Sequence, residues 1–168
     1  MANVRIQPSR ALAVYKSDNA DIPYPAVAAR GINDATAVNQ LIDLGVNFPA
    51  LQIYPGNIVY NINTGQSATI LEVPIATPDR LILNANIFPA ATVRYVIYQS
   101  SPMAGGQNTG CVLYVGEGGD ISVTTAGNDI VTFYNVQDGT FMPVQILKVW
   151  STSPDGVATT ASRITALW

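Results

Sequence analysis

Residues 111–124 read CVLYVGEGGDISVT, two short apolar runs on either side of a segment rich in glycine and carboxylates. Because Val, Leu and Tyr dominate the first run and Ile and Val alternate with polar residues in the second, the sequence predicts β-strands at Cys111–Val115 and Asp120–Thr124. The residues between them, Gly116–Asp120, tolerate a sharp turn, so we expect a tight hairpin turn with its two carboxylates in solvent. This stretch therefore predicts β structure built from short strands.

The same alternation of short apolar runs and turn residues recurs over most of the chain, which has 13 Gly and 11 Pro among 168 residues. It predicts seven further strands, at Asn57–Ile62, Ser67–Val73, Arg80–Leu83, Thr92–Tyr98, Ile130–Tyr134, Met142–Trp150 and Ser162–Trp168. Hairpin connections are expected at Asn63–Gly65, Ala126–Asp129, Gln137–Gly139 and Pro154–Gly156. We therefore expect an all-β fold, a small β-sandwich or barrel.

Polar and apolar residues alternate within several of these strands. Ile121 and Val123 are predicted to face the core, while Ser122 between them faces solvent. In a later strand the same spacing places Lys148 on the side of Ile146. One face of each such strand is therefore expected to be exposed to solvent.

One stretch, Asp34–Leu44, has the spacing of a helix. Its first residue fits an N-cap, Val38, Leu41 and Ile42 fall on one helical face, and Gly45 follows as a stop. The sequence therefore predicts a helix here, with an irregular loop as the alternative.

The composition excludes several kinds of chemistry. Charged residues make up 11% of the chain, against about 25% in an average soluble protein, and histidine is absent. Without His the chain has no Ser-His-Asp or Cys-His pair, no imidazole metal ligand and no histidine pH switch. The one cysteine, Cys111, forms neither an intrachain disulfide nor a multi-thiolate zinc site. We expect it to be a small buried residue.

Carboxylates offer little support for catalysis. Glu72 and Glu117 are the only glutamates, and nothing in the sequence pairs them as acid and base. Gly116–Asp120 could serve as a calcium loop or hold a catalytic acid, but it lacks the alternating oxygen-ligand spacing of an EF-hand. We therefore expect no enzyme, no metal and no cofactor.

The charge pattern also argues against two kinds of partner. The net charge is −3, and the eight basic residues are scattered, so no stripe of positive charge is available for nucleic acid. The uncharged stretches Leu44–Leu71 and Tyr95–Gly116 are interrupted by Pro, Gly, Asn and Gln, so neither is expected to span a membrane. The first residues lack the apolar region of a signal peptide, so secretion by that route is not expected.

Aromatic side chains are the candidates for an interface. Tyrosine and tryptophan combine a flat apolar body with a polar tip, which suits protein contacts and sugar platforms as well as ordinary strand positions. The interface candidates are Tyr15, Tyr24, Tyr54, Tyr114, Trp150 and Trp168.

The C-terminal part follows an ordered pattern. LYVG at Leu113–Gly116 and GGD at Gly118–Asp120 open it, VTF at Val131–Phe133 lies in the middle, and ALW at Ala166–Trp168 ends it. In this order the segment resembles the small virion domain of the spike-base proteins of phages and gene-transfer agents. That family runs LYVG-GGD-V, then VTF-NV-GT-PV, then TTAT and I-ALW or I-ALY. This chain departs from the pattern in an enlarged loop, Ser153–Gly156.

The family pattern begins with a Pro-Ala-Arg-Ala-Val-Pro-Ser-Asp-like stretch, and Pro8–Asp18 and Ile22–Arg30 are similar to it. The resemblance therefore implies that residues 1–30 and 109–168 form one discontinuous β domain, with residues 31–108 inserted into it. The small polar segment Ser100–Gly110 fits a linker or a long surface loop.

The insertion has a resemblance of its own. Leu41–Phe48, Ile53–Val73 and Asp79–Phe88 are similar to a small β-barrel module that recurs in structural proteins of marine and cyanobacterial phages. This resemblance implies a second, small β-barrel-like domain. The spike-base pattern lacks such an insertion, and neither resemblance brings a catalytic residue.

The resemblance implies a virion structural protein on the outer surface of a phage capsid, made in the bacterial host cytoplasm. It would act as a cement or decoration protein or as the base of a vertex spike. Its implied partners are the major capsid protein, further copies of itself as a trimer or pentamer, and a fibre protein. The alternatives are a tail, neck or fibre-attachment component, a carbohydrate-binding adhesin on the virion, and a lytic enzyme acting through Glu117 or Glu72.

Overall fold

The computed structural model describes residues 8–103 and 106–168. It is all-β, as the sequence predicted, and has two six-stranded antiparallel sheets. The chain divides into two compact units: a split unit, described over residues 8–14 and 110–168, and a central unit, residues 15–109. Within the described ranges, no helix is long and apolar enough to cross a membrane.

Twelve strands lie in the described ranges. In chain order they are β1 (Ala11–Ala13), β2 (Val27–Ile32), β3 (Gln40–Ile42), β4 (Ile58–Asn61), β5 (Gln66–Glu72), β6 (Arg80–Leu83), β7 (Arg94–Tyr98), β8 (Cys111–Glu117), β9 (Gly119–Thr125), β10 (Ile130–Val136), β11 (Thr140–Val149) and β12 (Ser162–Leu167). A short 3-10 helix, Phe48–Leu51, precedes β4. All nine strands predicted from the sequence are present.

The split unit is built on one sheet with the strand order β1-β12-β8-β11-β9-β10. Its inward positions follow the period of two that a strand requires: Leu113 and Val115 on β8, Ile121 and Val123 on β9, and Ile164 on β12 are all buried. The alternation read from the sequence therefore selects the core face of this sheet.

The central unit has the strand order β2-β7-β4-β5-β6-β3. Its core collects buried side chains from the middle strands and from the loops around them, including Phe48 of the 3-10 helix and Phe88. Tyr95 on β7 lies between these two rings, with ring centroids 6.3 Å from Phe48 and 6.5 Å from Phe88. Burial of this apolar face is the main stabilising term of the unit.

Two details of the predicted alternation are wrong. Ser122 is buried instead of wet, and its backbone N–H donates to Thr159 Oγ1 at 3.0 Å while its hydroxyl lies 2.8 Å from Thr132 Oγ1. On β11 a register shift between Ile146 and Lys148 breaks the period, so Val149 and not Lys148 is buried. A β-bulge adds one residue and reverses the inward side beyond it.

The helix predicted at Asp34–Leu44 is wrong. Leu41 and Ile42 lie on β3 and are buried, whereas Val38, which the helix would place beside them, is 77% exposed. Asp34 caps no helix, and its carboxylate accepts a hydrogen bond from the backbone N–H of Leu44 at 2.7 Å. Pairing of β3 with β6 satisfies the backbone and overrides the weak helical spacing.

Only some of the predicted turns are hairpins. Asn63–Gly65 joins β4 to β5 and Ala126–Asp129 joins β9 to β10, and both pairs of strands are neighbours. Pro154–Gly156 lies in a loop closed by a single bridge between Thr152 and Ala158. Gln137–Gly139 and Gly116–Asp120 are not hairpin turns, because β11 lies between β8 and β9 and β10 does not pair with β11.

The boundary between the units falls at Val14 on the N-terminal side and at Thr109 on the C-terminal side. Residues 15–30, which the resemblance assigned to the discontinuous domain, lie in the central unit because β2 pairs with β7 there. The segment Ser100–Gly110 ends at the C-terminal boundary, and its residues 104 and 105 lie outside the described part of the chain.

A buried polar pair anchors β7 in the central unit. The Tyr95 hydroxyl donates to Asp43 Oδ2 at 2.8 Å, and the Gly45 N–H donates to Asp43 Oδ1 at 3.3 Å. Burial, and then the hydrogen bond to Asp43, raise the pKa of Tyr95 far above its ordinary value, so the phenol stays protonated as a donor. Gly31 on β2 leaves the space that this pair occupies, because a Cβ there would lie 2.5 Å from both oxygens.

We expect Gly31→Ala to lower the free energy of unfolding by about 2 kcal/mol, because the added methyl must displace a buried hydrogen-bonded pair. Chemical denaturation followed by circular dichroism measures the change. The matched control is Gly45→Ala, whose Cβ meets Asp43 Oδ1 at an ordinary 3.6 Å and whose expected effect stays within about 0.5 kcal/mol. Equal effects of the two variants would contradict this packing.

Candidate interaction surfaces

The six aromatic residues singled out from the sequence are divided equally between the two units. Three of them, Tyr15, Tyr24 and Tyr54, lie in the central unit, and the other three, Tyr114, Trp150 and Trp168, lie in the split unit. Only Tyr54 is classed as exposed, and the other five are partly buried. The sequence signal for a shared aromatic platform therefore does not correspond to a single surface within either unit.

In the central unit the tyrosines pack on one another. The ring of Tyr15 stacks on Tyr60 with centroids 4.3 Å apart, and Tyr60 meets Tyr98 edge-on at 5.2 Å. Burial raises the pKa of Tyr98, and the nearby charge of Arg30 opposes that rise. One face of Tyr15 is thus already occupied, which leaves less ring surface for a sugar.

The two tryptophans of the split unit are held by local contacts. Trp150 Nε1 donates to Thr124 Oγ1 at 2.9 Å, and the ammonium of Lys148 lies 4.5 Å from the indole centroid. The backbone of Trp168 pairs with Arg10, with the Trp168 N–H 3.0 Å from the Arg10 carbonyl oxygen. Trp150 thus contacts β9 through its side chain, and Trp168 contacts the segment before β1 through its backbone.

Tyr114 belongs to an outward aromatic pair. It faces Phe141 across the β8–β11 ladder, with ring centroids 5.0 Å apart. Phe141 is 61% exposed, which is high for a ring in the middle of a sheet. The outer face of the split unit therefore presents an aromatic surface to solvent.

Strand β10 is a second exposed apolar feature of the split unit. Its residues read IVTFYNV and carry no charge. Ile130, Val131 and Tyr134 are 45%, 38% and 63% exposed. The strand forms an edge of its sheet, and its partner in the described part of the chain is β9 alone.

The hydrogen-bonding direction of β10 follows from its ladder. The Thr125 N–H donates to the Asp129 carbonyl at 2.9 Å, and β9 and β10 stay in register as far as Phe133. Because successive residues of a strand direct their N–H and C=O groups to opposite sides, Val131 and Phe133 bond to β9. The backbone groups of Ile130, Thr132 and Tyr134 therefore point away from the sheet.

The other three sheet edges are protected. β1 and β3 have three residues each, and β3 is further covered by a bridge from Ala35 to Ile42. β2 has six residues but carries Arg30 near its centre. Short length, a covering segment and a charge are the usual ways in which proteins prevent edge-to-edge pairing. β10 has none of these protections from the residues that the structure describes.

A further surface lies on the central unit. An open groove of about 500 Å³ is lined by side chains of β2 and β7 and by Ile62, which follows β4; the side chains from the two strands include Arg30, Ile32, Arg94, Val96 and Tyr98. Arg30 and Arg94 occupy neighbouring strands, and neither forms an ion pair with a described residue. The groove thus combines positive charge with exposed apolar side chains.

The carboxylates of Gly116–Asp120 hold neighbouring strands in place. Glu117 forms an ion pair with Arg163, with 2.9 Å between Oε1 and Nε, and accepts a hydrogen bond from Ser162 Oγ. Asp120 Oδ1 accepts from the Asn135 N–H at 2.9 Å. Gly118 allows the close approach, because a Cβ there would collide with the Val136 carbonyl.

The other carboxylate considered from the sequence, Glu72, lies on β5 of the central unit, whereas Glu117 lies in the split unit. Among the described residues no group of three or more His, Cys, Asp or Glu side chains is placed to hold a metal ion.

Sequence reasoning missed β10, Phe141 and the groove as surfaces. The signal for β10 was present, because seven uncharged residues of which four are Val, Ile or Tyr are unusual for a sheet edge. The position of β10 at an edge is not visible in the sequence.

Comparisons with known protein families, curated proteins and solved structures found no match to this chain.

Cys111 is buried, as the sequence predicted, and its Sγ lies 3.4 Å from the Ile146 carbonyl oxygen. Burial raises the pKa of the thiol to about 12. Because the thiolate is the reactive form, we expect iodoacetamide at pH 8 to label the native chain roughly 1000-fold more slowly than the denatured chain. Mass spectrometry measures the labelling. Equal rates would contradict this burial.

The same group makes stability depend on alkaline pH. The folded thiol has a pKa of about 12 against an ordinary 9.0, so the folded chain holds its proton over a range in which the unfolded chain loses it. The contribution of this group to stability is therefore complete below pH 9 and falls between pH 9 and 12, by at most about 1.4 kcal/mol per pH unit. Cys111→Ala should flatten the decline between pH 9 and 10 in denaturation experiments, and an unchanged slope would contradict this assignment.

Proposed function

We propose that the protein is a virion structural protein on the outer surface of a phage capsid, acting as a cement or decoration protein or as a vertex spike base. The observation that supports this best is a set of exposed apolar side chains in the split unit. Ile130, Tyr134 and Phe141 are all more than two-fifths exposed there. Such side chains in solvent favour association, since each square ångström of apolar surface buried contributes about 25 cal/mol.

The sequence resemblance supports the same proposal from a different direction. Four segments that resemble the spike-base pattern belong to the split unit, namely Leu113–Gly116, Gly118–Asp120, Val131–Phe133 and Ala166–Trp168, whereas the similar stretch Ile22–Arg30 lies in the central unit. They lie on or beside β8, β9, β10 and β12 of one sheet. The C-terminal part of the resemblance therefore falls within one compact unit, and this unit also has exposed apolar side chains.

In this role the protein would bind the major capsid protein. Phe141 and Tyr114 offer a flat aromatic surface that a neighbouring subunit can cover, and aromatic residues are enriched at the centres of interfaces. Repeated copies on a closed shell add their interface free energies, which stabilises the shell. A tail, neck or fibre-attachment role uses the same surface chemistry and differs only in the location on the particle.

The proposal predicts that purified particles contain the chain in stoichiometric amounts and lose thermal stability when it is deleted. Quantitative mass spectrometry and a particle melting curve measure these two properties. Purified chain should rebind depleted particles and restore the melting temperature. Absence of the chain from mature particles would overturn the proposal, and its location in isolated tails would favour the tail role.

A pair of variants tests the surface itself. Phe141→Asp should weaken rebinding to depleted particles by at least roughly tenfold, because it places a charge in an apolar contact. The matched control is Val38→Asp, which changes a residue that is 77% exposed in the central unit and should bind as the unaltered chain does. Equal loss in both variants, or none in Phe141→Asp, would exclude the aromatic pair as the capsid contact.

A further inference from the structure

We propose that β10 pairs with β10 of a second copy of this chain, antiparallel and around a two-fold axis at Thr132. The inference concerns contacts between copies and does not depend on the proposed place of the protein on a capsid. It rests on the backbone groups, the length and the side chains of this one strand.

The backbone of β10 is open for pairing over a defined length. Ile130, Thr132 and Tyr134 direct their N–H and C=O groups away from β9, and in the described part of the chain no strand meets them. At one end the strand begins after the turn at Asp129. At the other end Asn135 has a left-handed φ of 51° and the register shifts, so the strand bends. The open segment is therefore residues 130–134.

This segment is complementary to itself. Thr132 lies at its centre and is one of the outward-directed residues, so a two-fold axis there places Thr132 opposite the second Thr132 and Ile130 opposite Tyr134. In an antiparallel ladder each such outward pair exchanges two hydrogen bonds, which gives about six between the two chains. A strand centred on Val131 or Phe133 would have its central groups already used by β9.

The side chains match in the same register. Ile130 meets Tyr134 on one face, and Val131 meets Phe133 on the other. Each is a pair of a β-branched and an aromatic residue, which are favourable cross-strand neighbours. No charge lies in the segment, so two identical strands meet without repulsion. The exposed fractions of Ile130 and Tyr134 fall when the pair forms.

A single strand pair is a small interface, so the dimer is weak in dilute solution. Copies held close together on a surface are present at a high local concentration, which favours the same pairing without any new contact. The experiment therefore has to trap the pair covalently and also measure it at high protein concentration.

The first test uses introduced cysteines in the full chain. In the proposed register the two Thr132 Cα atoms lie about 5.5 Å apart, within the range of a disulfide. We expect Thr132→Cys to form a disulfide-linked dimer under mild oxidation. The matched control is Ile130→Cys, because residues 130 of the two copies lie about 13 Å apart and should not cross-link. Native Cys111 is buried and does not interfere.

The second test changes charge. Ile130→Lys combined with Tyr134→Lys places like charges opposite each other twice, and should raise the dissociation constant of the dimer at least roughly tenfold. Ile130→Glu combined with Tyr134→Lys places opposite charges in the same register and should retain association that weakens with salt. Sedimentation velocity measures both, and circular dichroism confirms that each variant folds.

Each outcome of these tests either supports or overturns the pairing. Cross-linking of Thr132→Cys alone, together with association of the Glu/Lys variant and not the Lys/Lys variant, supports the pairing. No cross-link at residue 132, equal cross-linking at residue 130, or equal association of both charge variants overturns it. Absence of the chain from particles would remove the virion role and leave these solution results unchanged, so the two proposals fail separately.

Discussion

The structure depends on one constraint, the need of every strand to satisfy its backbone N–H and C=O groups. Two six-stranded sheets satisfy them in their interiors and leave four edges. Three edges are short, covered or charged, and β10 alone is long, apolar and uncharged. Charged residues make up 11% of the chain, and none of them lies on this edge strand. An unprotected edge of this kind favours contact with another protein chain.

The strand interiors were accessible from the sequence because their signals are local. Runs of Val, Ile and Tyr between turn residues identified nine strands, and the burial of Ile121 and Val123 followed from alternation. The three missed strands carry weak local signals. β2 reads VAARGI, with two alanines and a glycine, and it forms because β7 lies beside it. β3 lies in the stretch that was predicted to be a helix, and it forms because β6 lies beside it.

The strand order, and the surfaces that follow from it, could not be predicted from the sequence. The turns at Gly116–Asp120 and Gln137–Gly139 have hairpin chemistry, yet each joins strands that are not neighbours, because β11 lies between β8 and β9 and β9 lies between β11 and β10. Non-local pairing of this kind decides which strand becomes an edge. Tyrosine and tryptophan composition predicted interface residues by type, and the structure shows that Trp150 and Trp168 are already engaged with their own unit.

The central claim is that the apolar surface of the split unit is covered by neighbouring subunits of a virion. A cryo-EM reconstruction of the mature particle tests it most directly. The account predicts density for this chain on the outside of the shell, with Phe141 against a capsid subunit and β10 paired with β10 of a second copy. A particle without this density, or one in which β10 and Phe141 both face solvent, would contradict it.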